Sequence, residues 1–100
     1  MTIAVYIIGP MTGWPDRNCQ AFMEAEELIR RAARRGDIES DVVVLNPARL
    51  PAGLPEEKYM PICMAMLEAA DAFYCLPDWD ASDGACAEYY FARKQGKREL

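Results

Sequence analysis

Residues 3–8, IAVYII, are six apolar positions in a row with no polar break, ended by Gly9-Pro10. A continuous apolar run rich in β-branched residues predicts a strand covered on both faces, where an alternating run would predict a half-solvated one. The pattern then changes period. After the loop GPMTGWPD, Ala21, Phe22, Ala25, Leu28, Ile29, Ala32 and Ala33 recur at helical spacing. They predict a helix that starts near Asp16 or Asn18 and ends at Arg34, Arg35 and Gly36. DVVVLNP reads as a second buried strand and ARLPAGLPEEK as a loop. From Glu56 to Ala70 the helical period returns, with Pro61 expected in the first turn of the main part and one apolar stripe through Tyr59, Cys63, Met66, Leu67 and Ala70. DAFYCLP reads as a third strand, GACAEYYFARKQG as a third helix closing at Gly96, and KREL as a short last strand.

Strand and helix alternating in this order specify a parallel α/β sheet with right-handed crossovers. In such sheets a ligand lies outside the carboxyl ends of the strands, where the strand order reverses. If the first and third strands flank that point, GPMTG and DWDASDG face each other across one crevice.

Composition narrows what the crevice can do. The chain has 100 residues, 52 % apolar and 27 % charged, which is one globular domain over residues 1–100. No apolar run approaches the ~20 residues of a membrane span, and the opening MTIAVYIIGP lacks the basic segment of a signal peptide, so the expected location is cytoplasmic. A net charge of −5 argues against a nucleic-acid surface. There is no histidine, and Cys19, Cys63, Cys75 and Cys86 form no C-x-x-C pair, so the thiols are expected to be reduced and mostly buried, with no metal site. Acid-base chemistry must then run on carboxylate, tyrosine or thiol.

Glu88 is the sharpest candidate. In a helix starting near Ser82 or Asp83, its side chain leans back over Gly84 and Ala85, small residues that leave the space ahead of the carboxylate open. A free glutamate, with a pKa of about 4.3, is ionised at pH 7, which suits a nucleophile or a charge stabiliser and not a general acid. The plainer alternative is an exposed glutamate on a surface helix. GPMTG lacks the G-x-G-x-x-G spacing of dinucleotide loops and the Lys-Ser/Thr ending of a P-loop, yet its backbone N–H groups could meet an anion. It could equally be an ordinary strand-to-helix turn. Tyr6 is a core aromatic whose hydroxyl could reach an edge, and Trp14 and Trp79, one in each facing loop, are stacking surfaces or packed lids. Arg34 and Arg35 read as dipole-complementing cations at a helix end, with a phosphate patch as the alternative.

VYIIGPMTG, NPARLPAGLPEEKYM and AMLEAADAFYCLPDWDASDGACAE, in this order and spacing, resemble the nucleoside 2-deoxyribosyltransferase superfamily, in an uncharacterised phage and bacterial branch related to 2′-deoxynucleoside 5′-phosphate N-hydrolases. The resemblance covers nearly the whole chain. It implies an α/β three-layer sandwich, a flavodoxin- or Rossmann-like parallel sheet of four to five strands with helices on both faces. It also implies cleavage of an N-glycosidic bond through a glutamate nucleophile, here Glu88 in the pattern Ser82-Asp83-Gly84…Glu88. Tyr6 would lie beneath the sugar, and Gly9, Pro10, Met11, Thr12 and Gly13 would hold the 5′ end of the ligand. Trp79, Ser82, Asp83 and Gly84 would complete the pocket, with no cofactor. Ser82 stands where members acting on nucleoside 5′-monophosphates carry serine and members acting on free nucleosides carry an acid. A hydroxyl tolerates a phosphate that a carboxylate would repel, so a (deoxy)nucleoside 5′-monophosphate is the substrate implied.

Two departures accompany the likeness. Cys63 occupies the position, eight residues before Asp71, where the family has an aspartate that orients the sugar and handles the proton. Active members also run on past the third helix and lend side chains to a neighbouring subunit in a homo-oligomer such as a dimer, whereas the sequence given ends at Leu100. The alternatives to an enzyme are a non-catalytic binder of a nucleotide or nucleotide signal, and a small interaction protein keeping the fold alone.

Overall fold

The computed structural model describes residues 1–100. It has the strands β1 (Thr2–Ile8), β2 (Asp41–Leu45), β3 (Ala72–Cys75) and β4 (Arg98–Glu99), and the helices α1 (Cys19–Arg34), α2 (Glu56–Ala69) and α3 (Asp83–Lys94). Short 3-10 turns cover Pro15–Asn18, Pro47–Arg49 and Trp79–Ala81. All strand pairs are parallel, in the order β2-β1-β3-β4. Val5 lies between Val44 and Ala72, and Tyr6 between Leu45 and Phe73.

The unbroken apolar run of β1 has the cause expected of it. Val5, Tyr6, Ile7 and Ile8 are all fully buried, because β1 is central in the sheet and covered on both faces. Successive side chains point to opposite faces. Ile3, Val5 and Ile7 pack with Phe22, Ala25 and Ile29 of α1. Tyr6 and Ile8 pack with Cys63 and Leu67 of α2 and with Ala85 and Ala92 of α3. The result is the three-layer α/β sandwich, with α1 alone on one face. The chain steps from β1 outward to β2, then crosses back to β3 on the other side of β1. The connections leaving β1 and β3 therefore diverge, and a crevice opens above their carboxyl ends.

Several local features differ from the sequence expectation. α1 begins at Cys19 because Asp16, Arg17 and Asn18 form a left-handed turn, with φ of 49°, 51° and 60°. Leu28, in the apolar stripe of α1, is 51 % exposed: the face that meets the sheet is narrower than the stripe. Pro61 stands inside a continuous α2 and not in its first turn. Both Pro61 and Glu57, whose carbonyl the missing N–H would have reached, face solvent, so the lost bond is exposed to water. All four cysteines are free thiols, but Cys63 alone is buried and the others are half-buried. No helix is long and apolar enough to cross a membrane.

Gly9 keeps the starts of the two connections close together before they diverge. A Cβ on it would lie 2.4 Å from Cδ1 of the buried Leu76, the residue that follows β3. The Leu76 amide donates to the Ile8 carbonyl at 2.8 Å. Any side chain at position 9 would push Leu76 out of its packed place between the exits of β1 and β3.

Candidate active site

The crevice has a volume of about 430 Å3 and is lined from three sides: by Tyr6 and the loop after β1, by the first turns of α2, and by Ala81 to Ala85 and Glu88 around the start of α3. At its foot the hydroxyl of Tyr6 donates to Glu88 Oε2 at 2.5 Å. Both groups are buried, Glu88 at 6 % exposure and Tyr6 at 0 %. Three elements meet here, because Cys63 of α2 lies beside the same hydroxyl.

Local sequence explains how Glu88 comes to point inward. The Ser82 side chain accepts from the Ala85 amide at 3.3 Å and so caps α3. With the helix start held there, Glu88 sits a turn and a half in, and its side chain leans back over Gly84 and Ala85. A Cβ on Gly84 would meet nothing nearer than Ser82 Oγ at 3.8 Å, so the space is open.

The electrostatics of this corner are governed by burial. Glu88 is pushed up to about 7 by desolvation, against the lowering effect of the hydrogen bond from Tyr6. This corrects the expectation of an ordinary carboxylate. Near neutrality Glu88 is close to half protonated, because the protein removes water and supplies one neutral donor in its place. Burial first, and the Glu88 charge second, push the Tyr6 hydroxyl well above its usual range. Burial also pushes the Cys63 thiol up, so it stays protonated. No group of three or more Cys, Asp or Glu side chains is placed to hold a metal ion.

Of the residues singled out from sequence, Tyr6, Gly9, Met11, Thr12 and Cys63 line the crevice, as do Ser82, Asp83, Gly84 and Glu88. Pro10, Gly13 and Trp79 do not. Pro10 is buried, and its carbonyl accepts from Asn18 Nδ2 at 3.1 Å. Gly13 takes a φ of +82° between Thr12 and Trp14, which do line the crevice. Trp79 stacks on Tyr89 with ring centroids 4.1 Å apart, so its face is already covered. The tryptophan at the crevice is Trp14. Asp78 and Asp80 also fall outside, leaving Asp83 as the aspartate at the mouth.

Sequence reasoning missed Arg17, Glu56 and Met60, and read Tyr59 only as part of a buried stripe. A signal existed for α2: residues 56, 59, 60 and 63 follow helical spacing, so whatever faces Cys63 also faces Glu56. No such signal existed for Arg17, because a left-handed turn carries it to the crevice.

A family model described as "Domain of unknown function (DUF4406)" matches residues 3–99. The chain belongs to the DUF4406 family. DUF4406 is a nucleoside 2-deoxyribosyltransferase-like family, and a solved structure carries the same fold. The "2-desoxiribosyltransferase from Leishmania mexicana" aligns with a TM-score of 0.62 at 25 % identity, over 98 % of this chain and 62 % of that one. The DUF4406 chain thus spans less than two thirds of that enzyme's length. No curated protein matches the sequence.

Proposed function

We propose that the crevice cleaves the N-glycosidic bond of a (deoxy)nucleoside 5′-monophosphate, as an N-hydrolase or a deoxyribosyltransferase, with Glu88 as nucleophile. The observation that carries this reading is the buried Glu88 carboxyl, held by Tyr6 alone and facing an open crevice. A carboxylate without water around it is poorly stabilised until positive charge develops opposite it. The anomeric carbon of a departing nucleoside supplies that charge in an oxocarbenium-like transition state. An oxygen of Glu88 bonds to C1′ while the C1′–N bond breaks and its electron pair goes to the base, which takes up a proton. Water, or a second base, then attacks C1′ and releases Glu88, with the proton of the incoming group balancing the one consumed.

Tyr6 holds the carboxylate in line and, with its pKa raised, does not compete for the negative charge. The Cys63 thiol, raised by burial, holds its proton, and Asp83 is the one aspartate lining the crevice. Only ionised Glu88 attacks, so the rate rises as pH passes through about 7. The test is release of free base from a panel of ribo- and deoxyribonucleoside monophosphates, separated by chromatography. Release by wild type and none by Glu88→Ala is expected; no release by wild type, or equal release by both, sinks the reading.

A second reading has one observation in its favour, the protonated Cys63 thiol where an acid would assist. It is a nucleotide-binding module without turnover. Thermal stabilisation by nucleotides with no product, and base release gained in Cys63→Asp, would mark that case.

A further inference from the structure

Arg17 is the one cationic side chain lining the crevice, against the acids Glu56, Asp83 and Glu88. A phosphorylated ligand entering it would meet a negative surround unless that guanidinium is available. At present Arg17 is occupied. Its Nη1 donates to Glu56 Oε1, and the Thr12 hydroxyl donates to the other oxygen, Glu56 Oε2, at 2.9 Å. Two donors from the loop after β1 thus converge on the two oxygens of one carboxylate, and all three residues face the crevice.

The chain reaches this arrangement by an uncommon route. Asp16, Arg17 and Asn18 all lie in the left-handed region, which L-residues avoid and which persists only where the surroundings impose it. The turn is held by the Asn18 side chain on the Pro10 carbonyl and by the Arg17 amide on the Trp14 carbonyl at 3.0 Å. It carries the Arg17 guanidinium over the ring of Tyr59, with Cζ 4.1 Å from the ring centroid. That contact gives the guanidinium a second partner besides Glu56.

We infer that Arg17 reads the 5′-phosphate of the ligand, and that Glu56, which engages the same guanidinium, is the competitor that gives way when a monophosphate binds. This rests on the monophosphate reading above and supplies the residue that decides it. The magnitudes favour exchange. Arg17 and Glu56 are 29 % and 53 % exposed in their side chains, and such an ion pair holds weakly. A phosphate dianion offers the same two donors more charge and a bidentate geometry. Thr12, released by Glu56, donates to the same group.

The test is calorimetric binding of the four deoxynucleoside 5′-monophosphates and of the matching free nucleosides to wild type, Arg17→Gln and Glu56→Gln, with base release followed in parallel. Both positions are at the surface, and both replacements keep hydrogen-bonding side chains. Arg17→Gln should weaken monophosphate binding about 10- to 100-fold and leave the free nucleosides unchanged. Glu56→Gln should tighten monophosphate binding about threefold or more, because the competitor for Arg17 loses its charge. A pair that merely fastens the loop predicts the opposite sign, weaker binding of both ligand types in Glu56→Gln. That result, unchanged monophosphate affinity in Arg17→Gln, or no monophosphate binding by wild type overturns the inference. Base release is decided separately: the expected binding pattern without release removes the catalytic reading and leaves the role of Arg17 standing.

Discussion

Two buried glutamates lie in this small protein, on opposite faces of the sheet, and they behave oppositely. Glu26 of α1 is 3 % exposed and Glu88 of α3 is 6 % exposed. Glu26 receives Arg49 at 2.9 and 3.0 Å, Arg30 at 3.0 Å and Asn46 at 3.0 Å. Its carboxyl is held down to about 2, chiefly by the hydrogen bonds from Arg49. Glu88 receives one neutral hydroxyl and is pushed up to about 7. Similar solvent exposure therefore says little about role: Glu26 lies beside half-exposed cations, while Glu88 lies deep enough for desolvation to dominate. A carboxylate whose lone pairs are filled by cations joins α1 to the turn after β2 and has no capacity left for a ligand. One left almost bare in a crevice has its charge in reserve for whatever binds.

The comparison breaks most sharply in activity. Glu88→Gln should lower base release by at least about a thousandfold, the scale for losing a nucleophile, whereas Glu26→Gln should leave the rate per folded molecule unchanged in the same chromatographic assay. In urea unfolding the order reverses. Glu26→Gln should destabilise by about 2 kcal/mol, less than a fully buried pair because Arg49 and Arg30 are half exposed. Glu88→Gln at pH 8 should stabilise by about 1–3 kcal/mol, since it removes an ionised group that burial disfavours. If Glu88→Gln is the less stable protein at pH 8, the contrast between the two carboxyls is lost.

The pH dependence of the melting temperature follows with definite signs. The Glu88 carboxyl has a folded value above the ordinary one near 4.5, so its contribution is fully present below about 4.5 and is lost as pH rises through about 7. Glu26 has a folded value below the ordinary one, so its contribution is present above about 4.5 and is lost as pH falls through about 2. Stability should peak between these limbs. Glu88→Gln should flatten the alkaline limb alone, and Glu26→Gln the acid limb alone. The smallest effect is expected from Tyr6→Phe. It removes the one group lowering the Glu88 value, so the rate profile should move to higher pH, with base release at pH 7 reduced about tenfold. A profile that stays in place would detach Tyr6 from the control of Glu88.

Much of this was legible in the chain. The unbroken IAVYII run marked the central strand, and alternating elements specified the parallel sheet, whereas the flanking of the switch point by β1 and β3 was only a condition until the strand order was known. The small residues before Glu88 marked an open space, because their meaning lies within two turns of one helix. The standing of the two glutamates was not legible. Glu26 sits in a run of acids and arginines that reads as a solvated helix face, and the groups that bury and fill it, Asn46 and Arg49, come from another element. For Trp79 the chain left a stacking surface and a packed lid open, and its contact with Tyr89 of α3 decides for packing.

Sequence alone determined the order of strands and helices, the position of Glu88 above Gly84, and the absence of any histidine chemistry, all of which depend on spacing and residue type. The tertiary structure decided which carboxyl keeps its charge, which tryptophan faces the crevice, and that Arg17 reaches it at all. The first two depend on desolvation and on partners brought together by the fold, and the third on a left-handed turn at residues 16–18; none of these has a signature in local sequence.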